Sequence, residues 1–88
     1  MKSAALDREA VARAVRAYVV ENFYYGKQGA LQDETNLMED GAVDSTGFME
    51  LVTFVETGFP ISVQDEDLVP ENFASVERIV AFILRKSA

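Results

Sequence analysis

The 88-residue sequence contains no cysteine and no histidine. Without cysteine there can be no disulfide, no thiolate metal site and no thiol nucleophile. Without histidine, Ser-His-Asp triads, Cys-His pairs and His-ligated zinc are excluded as well. Basic residues are also few: 8 Lys plus Arg stand against 15 Asp plus Glu, a formal net charge of −7. A protein that grips nucleic acid or an anionic membrane surface needs a basic footprint, so neither partner is expected. No apolar run reaches the roughly 20 residues a membrane span requires. The stretch Met1 to Asp7 has neither the apolar core nor the small-residue cleavage site of a signal peptide. These absences predict a cytoplasmic protein and argue against a self-contained enzyme. No metal site is expected.

What is present suffices for one domain. Hydrophobic residues make up 49% of the chain, the share of an ordinary globular protein. No repeat, low-complexity tract or Pro/Ser-rich linker divides residues 1–88. The charge is uneven. Between Gln28 and Glu77 there are twelve acidic residues and no basic one. A field of one sign raises affinity and on-rate for basic partners, although the same block can serve only as a solvated surface.

Periodicity predicts helices. A first helix is expected over residues 6–25, capped by Asp7, with Val11, Val15, Tyr18, Val19 and Phe23 facing a core and Gly26 and Gly29 ending it. A long loop over 26–43 follows, pinned by Leu31, Leu37, Met38 and Val43 and rich in turn formers such as Asn36, Asp40 and Gly41. Loops of that length in a small domain are often functional. A second helix is expected over 44–57, with Asp44 as N-cap and Phe48, Leu51, Val52, Val55 and then Phe59 as its apolar stripe. Pro60 and the lack of a partner strand reduce Phe59 to Val63 to an extended connector. A single helical turn is expected over 65–69, closed by Pro70. Ser75 caps a last helix over 75–86, whose inner stripe is Val76, Ile79, Val80 and Ile83, with Phe82 beside it. The fold class is all-α: a small bundle of three longer helices and one short one.

The most specific signal is Asp44-Ser45 at the start of the second helix. It comes with Thr35-Asn36-Leu37 and Asp40-Gly41 upstream. Downstream are Glu50-Leu51-Val52, Phe59, the run Val63 to Leu68, and Phe73-Ala74-Ser75-Val76. Together, over about Leu6 to Ile83, these residues resemble the acyl carrier protein family. The resemblance implies an acyl-carrier-type four-helix bundle that is a monomer and no enzyme. It implies 4′-phosphopantetheine, taken from coenzyme A by a phosphopantetheinyl transferase and attached to Ser45, with Asp44 as motif residue and cap. It further implies acyl groups held as thioesters and delivered to enzymes of fatty-acid or secondary-metabolite biosynthesis. A loading ligase and downstream transferases or synthases would dock through basic patches. Thr46, Met49, Glu50, Thr53 and Glu56, together with Asp44, are the expected partner contacts.

The residue types suit that role on physical grounds. A hydroxyl at the first position of a helix is exposed and rigidly held. An attached phosphodiester would lie at a helix N-terminus, where free N–H groups favour an anion. The transferase supplies the activating base, so the absence of histidine is no obstacle. The alternative is a non-covalent helical module whose acidic face binds a basic partner and which has no need of the Ser45 hydroxyl.

The pattern departs from the fatty-acid carriers at several positions. Thr46 and Gly47 follow Ser45 where a Leu is usual at the first, and Thr53 and Thr57-Gly58 stand where apolar or acidic residues are usual. Gly47 is expected to cost the helix about 0.5–1 kcal/mol and to remove a side chain from the docking surface. Five phenylalanines (Phe48, Phe54, Phe59, Phe73 and Phe82) are bulky for so small an interior and point to a short acyl or aminoacyl cargo. A specialised, free-standing carrier is expected.

Overall fold

The computed structural model describes residues 7–26, 29 and 31–87. Leu6, at the expected start of the first helix, and residues 27, 28 and 30 of the expected loop lie outside the described residues. The described elements are four helices and one 3-10 turn, with no strand: α1 (Arg8–Phe23), α2 (Ser45–Gly58), the turn Asp65–Asp67, α3 (Pro70–Phe73) and α4 (Val76–Ser87). This is the all-α arrangement of three longer helices and one short one.

The core follows the apolar stripes. Val11, Val15, Val19 and Val20 of α1 are buried against Leu51, Val52 and Val55 of α2 and against Val76, Ile79, Val80, Phe82 and Ile83 of α4. Each such side chain contributes about 1.5–3 kcal/mol by leaving water. Four members of the expected stripes, Tyr18, Phe23, Phe48 and Phe59, are only half-buried. They form a rim around the aliphatic centre.

The helix ends differ from expectation where local chemistry outweighs periodicity. Asp7 precedes α1, but its carboxylate makes no cap bond; only its carbonyl accepts, from Val11 N–H at 2.9 Å. At this exposed end water can serve the free N–H groups. The last turn of α1 closes at Phe23, and the chain leaves it through Tyr25 at φ 53, with Gly26 N–H returning to the Val20 carbonyl at 2.9 Å. The expected turn over 65–69 is a 3-10 turn of three residues, and Pro70 opens a helix instead of closing one. Proline fits the first helical position because the N–H it lacks has no acceptor there. Ser75 caps α4 as expected, its hydroxyl accepting from Arg78 N–H at 3.1 Å.

The long loop is anchored along its length. Leu31, Leu37 and Val43 are buried, and Met38 packs half-buried beside them. Leu37 N–H donates to the Ala74 carbonyl at 2.7 Å, and Glu77 N–H donates to the Asp33 carbonyl at 3.0 Å. The Asn36 side chain accepts from the N–H groups of Met38 and Glu39. Gly41 takes φ 80, a left-handed conformation that glycine adopts without penalty. Tyr24 locks the loop to the end of α1: its hydroxyl donates to Asp40 at 2.6 Å. Burial, then the hydrogen bond to Asp40 and its charge, push the Tyr24 phenol up to about 12. The loop therefore delivers Asp44 and Ser45 from a fixed frame.

Candidate functional site

Asp44 adopts extended backbone (φ −101, ψ −167), and its carboxylate accepts from Gly47 N–H at 2.9 Å. Its carbonyl accepts from Phe48 N–H at 2.8 Å, the first turn of the α2 ladder. Ser45 and Thr46 are the first two residues of α2. Their N–H groups precede the ladder and have no acceptor within the helix. Both side chains are exposed. The Ser45 hydroxyl thus stands in solvent on a rigid support, beside two free donors and the positive end of a helix of 14 residues.

Gly47 does not lie on the open face. It is buried, and a Cβ there would sit 2.9 Å from Phe23 Cε1 and 3.3 Å from Val43 Cγ1. The expectation that this glycine strips a side chain from the docking surface is corrected. The missing side chain is what lets the last residue of α1 close against the first turn of α2. A close approach between the two helices, legible only in three dimensions, dictates the residue.

The other expected contacts fall into two groups. Thr46, Met49, Glu50 and Thr53 share one side of α2 and line an open groove of about 810 Å³ that also includes Ser45. Met49 is 52% exposed, a large share for a thioether side chain. Glu56 is exposed on α2 but is not among the residues lining that groove. The groove's opposite wall comes from α1, through Tyr18 and Asn22, with Phe54 and Thr57 of α2 completing it. Sequence reasoning assigned Tyr18 to the core and gave Asn22 no role. Their spacing of four along α1 is the signal that places them together. The Tyr18 ring stacks on Phe54 with centroids 4.1 Å apart, and its hydroxyl reaches the Glu50 carbonyl at 3.4 Å. Burial and then the charge of Glu50 raise the Tyr18 phenol above its usual value.

The acidic run at 65–67 is not uniform. Asp65 and Glu66 are exposed, whereas Asp67 is engaged within the fold: it accepts from Gln64 N–H at 2.9 Å and pairs with Lys86 at 2.8 Å. The hydrogen bond from Lys86, then that from Gln64, hold its carboxyl below the usual range. Asp67 therefore closes the connector onto α4 and is not a free docking charge. Among the described residues no helix is long and apolar enough to cross a membrane, and no cluster of three or more acidic side chains has metal-holding geometry.

No protein-family model matches the chain. A curated relative does: "Probable acyl carrier protein PigG" of Serratia sp. (strain ATCC 39006), 31% identical over 71 residues, which are 81% of this chain and 82% of the relative. An all-helical bundle that holds an exposed serine at the head of its second long helix agrees with that kinship, and the chain belongs to the acyl carrier protein family.

Proposed function

We propose that Ser45 carries 4′-phosphopantetheine and that the protein presents short acyl or aminoacyl groups on that arm to successive partner enzymes. The observation that carries the reading is the placement of Ser45: an exposed hydroxyl on the first residue of a long helix, with unpaired N–H groups beside it and a loop anchored on both sides. Those donors and the helix dipole fit a phosphodiester anion. Membership of the family makes the chain a carrier and not an enzyme. In attachment, Ser45 Oγ attacks the phosphorus of coenzyme A that bears the pantetheine. A new P–O bond forms as the bond to adenosine 3′,5′-bisphosphate breaks, and the hydroxyl proton passes to a base of the transferase. The thiol of the arm, once in place, supplies a thioester linkage for cargo. The chain's own residues position the hydroxyl and offer the surface on which enzymes dock.

The filling of the interior supports a short cargo. Phe48 of α2, Phe73 of α3 and Phe82 of α4 form a continuous chain of rings, with successive centroids 5.3 Å apart, and Phe73 and Phe82 are fully buried. Close-packed rings leave little room for a long alkyl chain without repacking, and overpacking costs about 1–3 kcal/mol. The partner surface we propose is the exposed side of α2, with Thr46, Met49 and Thr53 between the charges of Asp44, Glu50 and Glu56. Its complement would be basic patches on a loading ligase, on downstream transferases or synthases, and on the transferase itself, all in the cytoplasm.

The test is intact mass after incubation with coenzyme A and a broad-specificity phosphopantetheinyl transferase, followed by loading with acyl groups of increasing length. The wild type should gain one phosphopantetheine. Short acyl groups, and long ones too, should leave the ring resonances of Phe73 and Phe82 in place. Large shifts of those resonances with a long chain would overturn the short-cargo reading.

A further inference from the structure

We infer that the groove between α1 and α2 is the resting site of the arm attached at Ser45, and that Tyr18, Asn22, Thr53 and Thr57 hold it there. The inference rests on the carrier reading of Ser45.

Three observations converge on this groove. The first is position. Ser45 lies within the groove's lining, so an arm tethered there enters it without crossing the surface. The lining continues along α2 to Thr57, an axial rise of about 18 Å over twelve residues, a span comparable with an extended phosphopantetheine chain. The second is that the interior is closed to the arm. The Phe48, Phe73 and Phe82 rings occupy the space between α2, α3 and α4, whereas the α1–α2 side holds an open volume of about 810 Å³.

The third observation is the hydrogen-bonding character of the walls. The Thr53 hydroxyl donates to the Met49 carbonyl at 3.1 Å, and the Thr57 hydroxyl donates to the Thr53 carbonyl at 2.8 Å. Asn22 donates from its amide nitrogen to the Tyr18 carbonyl at 2.8 Å. Each threonine hydroxyl proton is therefore committed to the helix, which leaves two hydroxyl oxygens as acceptors; the Asn22 amide keeps its carbonyl oxygen and one N–H. A ligand that fits walls with more free acceptors than donors brings N–H donors of its own. Pantetheine has two secondary amides, separated by methylenes and a gem-dimethyl group. The stacked Tyr18 and Phe54 rings offer apolar surface to those carbon segments. Amide N–H groups facing acceptors and methyls facing rings are the complementarity this groove provides.

The experiment compares apo and holo protein, with attachment verified by mass, using backbone amide shifts and nuclear Overhauser contacts from a labelled arm. Shifts at Asn22, Thr53 and Thr57, with contacts from the gem-dimethyl group to the Tyr18 ring, are expected. In Thr53→Trp, whose indole would fill the groove, the loaded protein should lose the shifts at Asn22 and Thr57 while keeping those beside Ser45. Three results overturn the inference and leave the carrier reading intact: shifts confined to residues 43–48 in a fully loaded protein, arm contacts to Phe73 or Phe82, or distal shifts that survive in Thr53→Trp. A folded wild type that gains no arm overturns the carrier reading itself, and this inference with it.

Discussion

Gly47→Ala separates two opposed effects at the base of the site. Alanine is favoured over glycine in a helix by about 0.5–1 kcal/mol, so helix propensity alone predicts a gain in stability. The surroundings predict a loss. The new methyl would lie 2.9 Å from Phe23 Cε1 and 3.3 Å from Val43 Cγ1, well inside the roughly 3.5–4.0 Å at which carbon atoms attract. Overpacking of this kind costs about 1–3 kcal/mol. Phe23 is half-buried and can swing outward, but doing so sacrifices its edge contact with Tyr18 at 6.0 Å. The balance is a net loss of about 1 kcal/mol, which for a domain of this size lowers Tm by about 4–8 °C. A double-mutant cycle isolates the cause. In a Phe23→Ala background the closest obstruction is gone and only Val43 Cγ1 at 3.3 Å remains, so Gly47→Ala should there be less destabilising than in the wild type, its helix propensity offsetting the remaining contact. Thermal and denaturant melts of the four proteins decide the matter. A stabilising Gly47→Ala in the wild type, or an equal loss in both backgrounds, would refute the reasoning that Gly47 is set by the approach of α1.

Three further outcomes follow from the frame around Ser45. Asp44→Ala removes the acceptor for the buried Gly47 N–H and should cost about 1–2 kcal/mol, whereas Asp44→Asn, which keeps an acceptor, should cost far less in a denaturant melt. Tyr24→Phe breaks the bond to Asp40, a loss of about 1–2 kcal/mol for a partly exposed hydrogen bond to a charged group. Because the fold raises the Tyr24 phenol from 10.0 to about 12, its contribution is fully present below pH 10 and fades towards 12. The stability gap between wild type and Tyr24→Phe should therefore close across that interval. Asp67 behaves oppositely: its lowered pKa stabilises the fold above its ordinary value of 3.8, and that contribution is lost as pH falls through the lowered one. Lys86→Met should raise the Asp67 midpoint in a carboxyl-carbon NMR titration, and an unmoved midpoint would discount the pair.

The sequence made the skeleton legible because each long helix writes its buried face at a spacing of three and four. Val11, Val15 and Val19, then Leu51, Val52 and Val55, then Val76, Ile79, Val80 and Ile83 are all buried. The serine at the head of α2 was legible because a capping aspartate and turn formers mark a helix start. What escaped were features set by a second element. Gly47 reads as a weak helix residue until Phe23 is placed against it. Tyr18 reads as core until its ring is found stacked on Phe54 at the edge of a groove. Pro70 reads as a stop, yet its missing N–H suits the first turn of α3. Asp67 reads as one of three equivalent acids, and only the return of α4 brings Lys86 to it. Periodicity reports burial along one element and is silent about which neighbour supplies the contact.

Everything proposed for this carrier depends on Ser45 being the attachment point. The most direct measurement is tandem mass spectrometry of the protein after treatment with coenzyme A and a phosphopantetheinyl transferase, with Ser45→Ala treated in parallel and shown to be folded. One phosphopantetheine is expected on the peptide containing Ser45 and none on the variant. A modified Ser45→Ala, an arm found on Thr46, or a folded wild type left unmodified would contradict it.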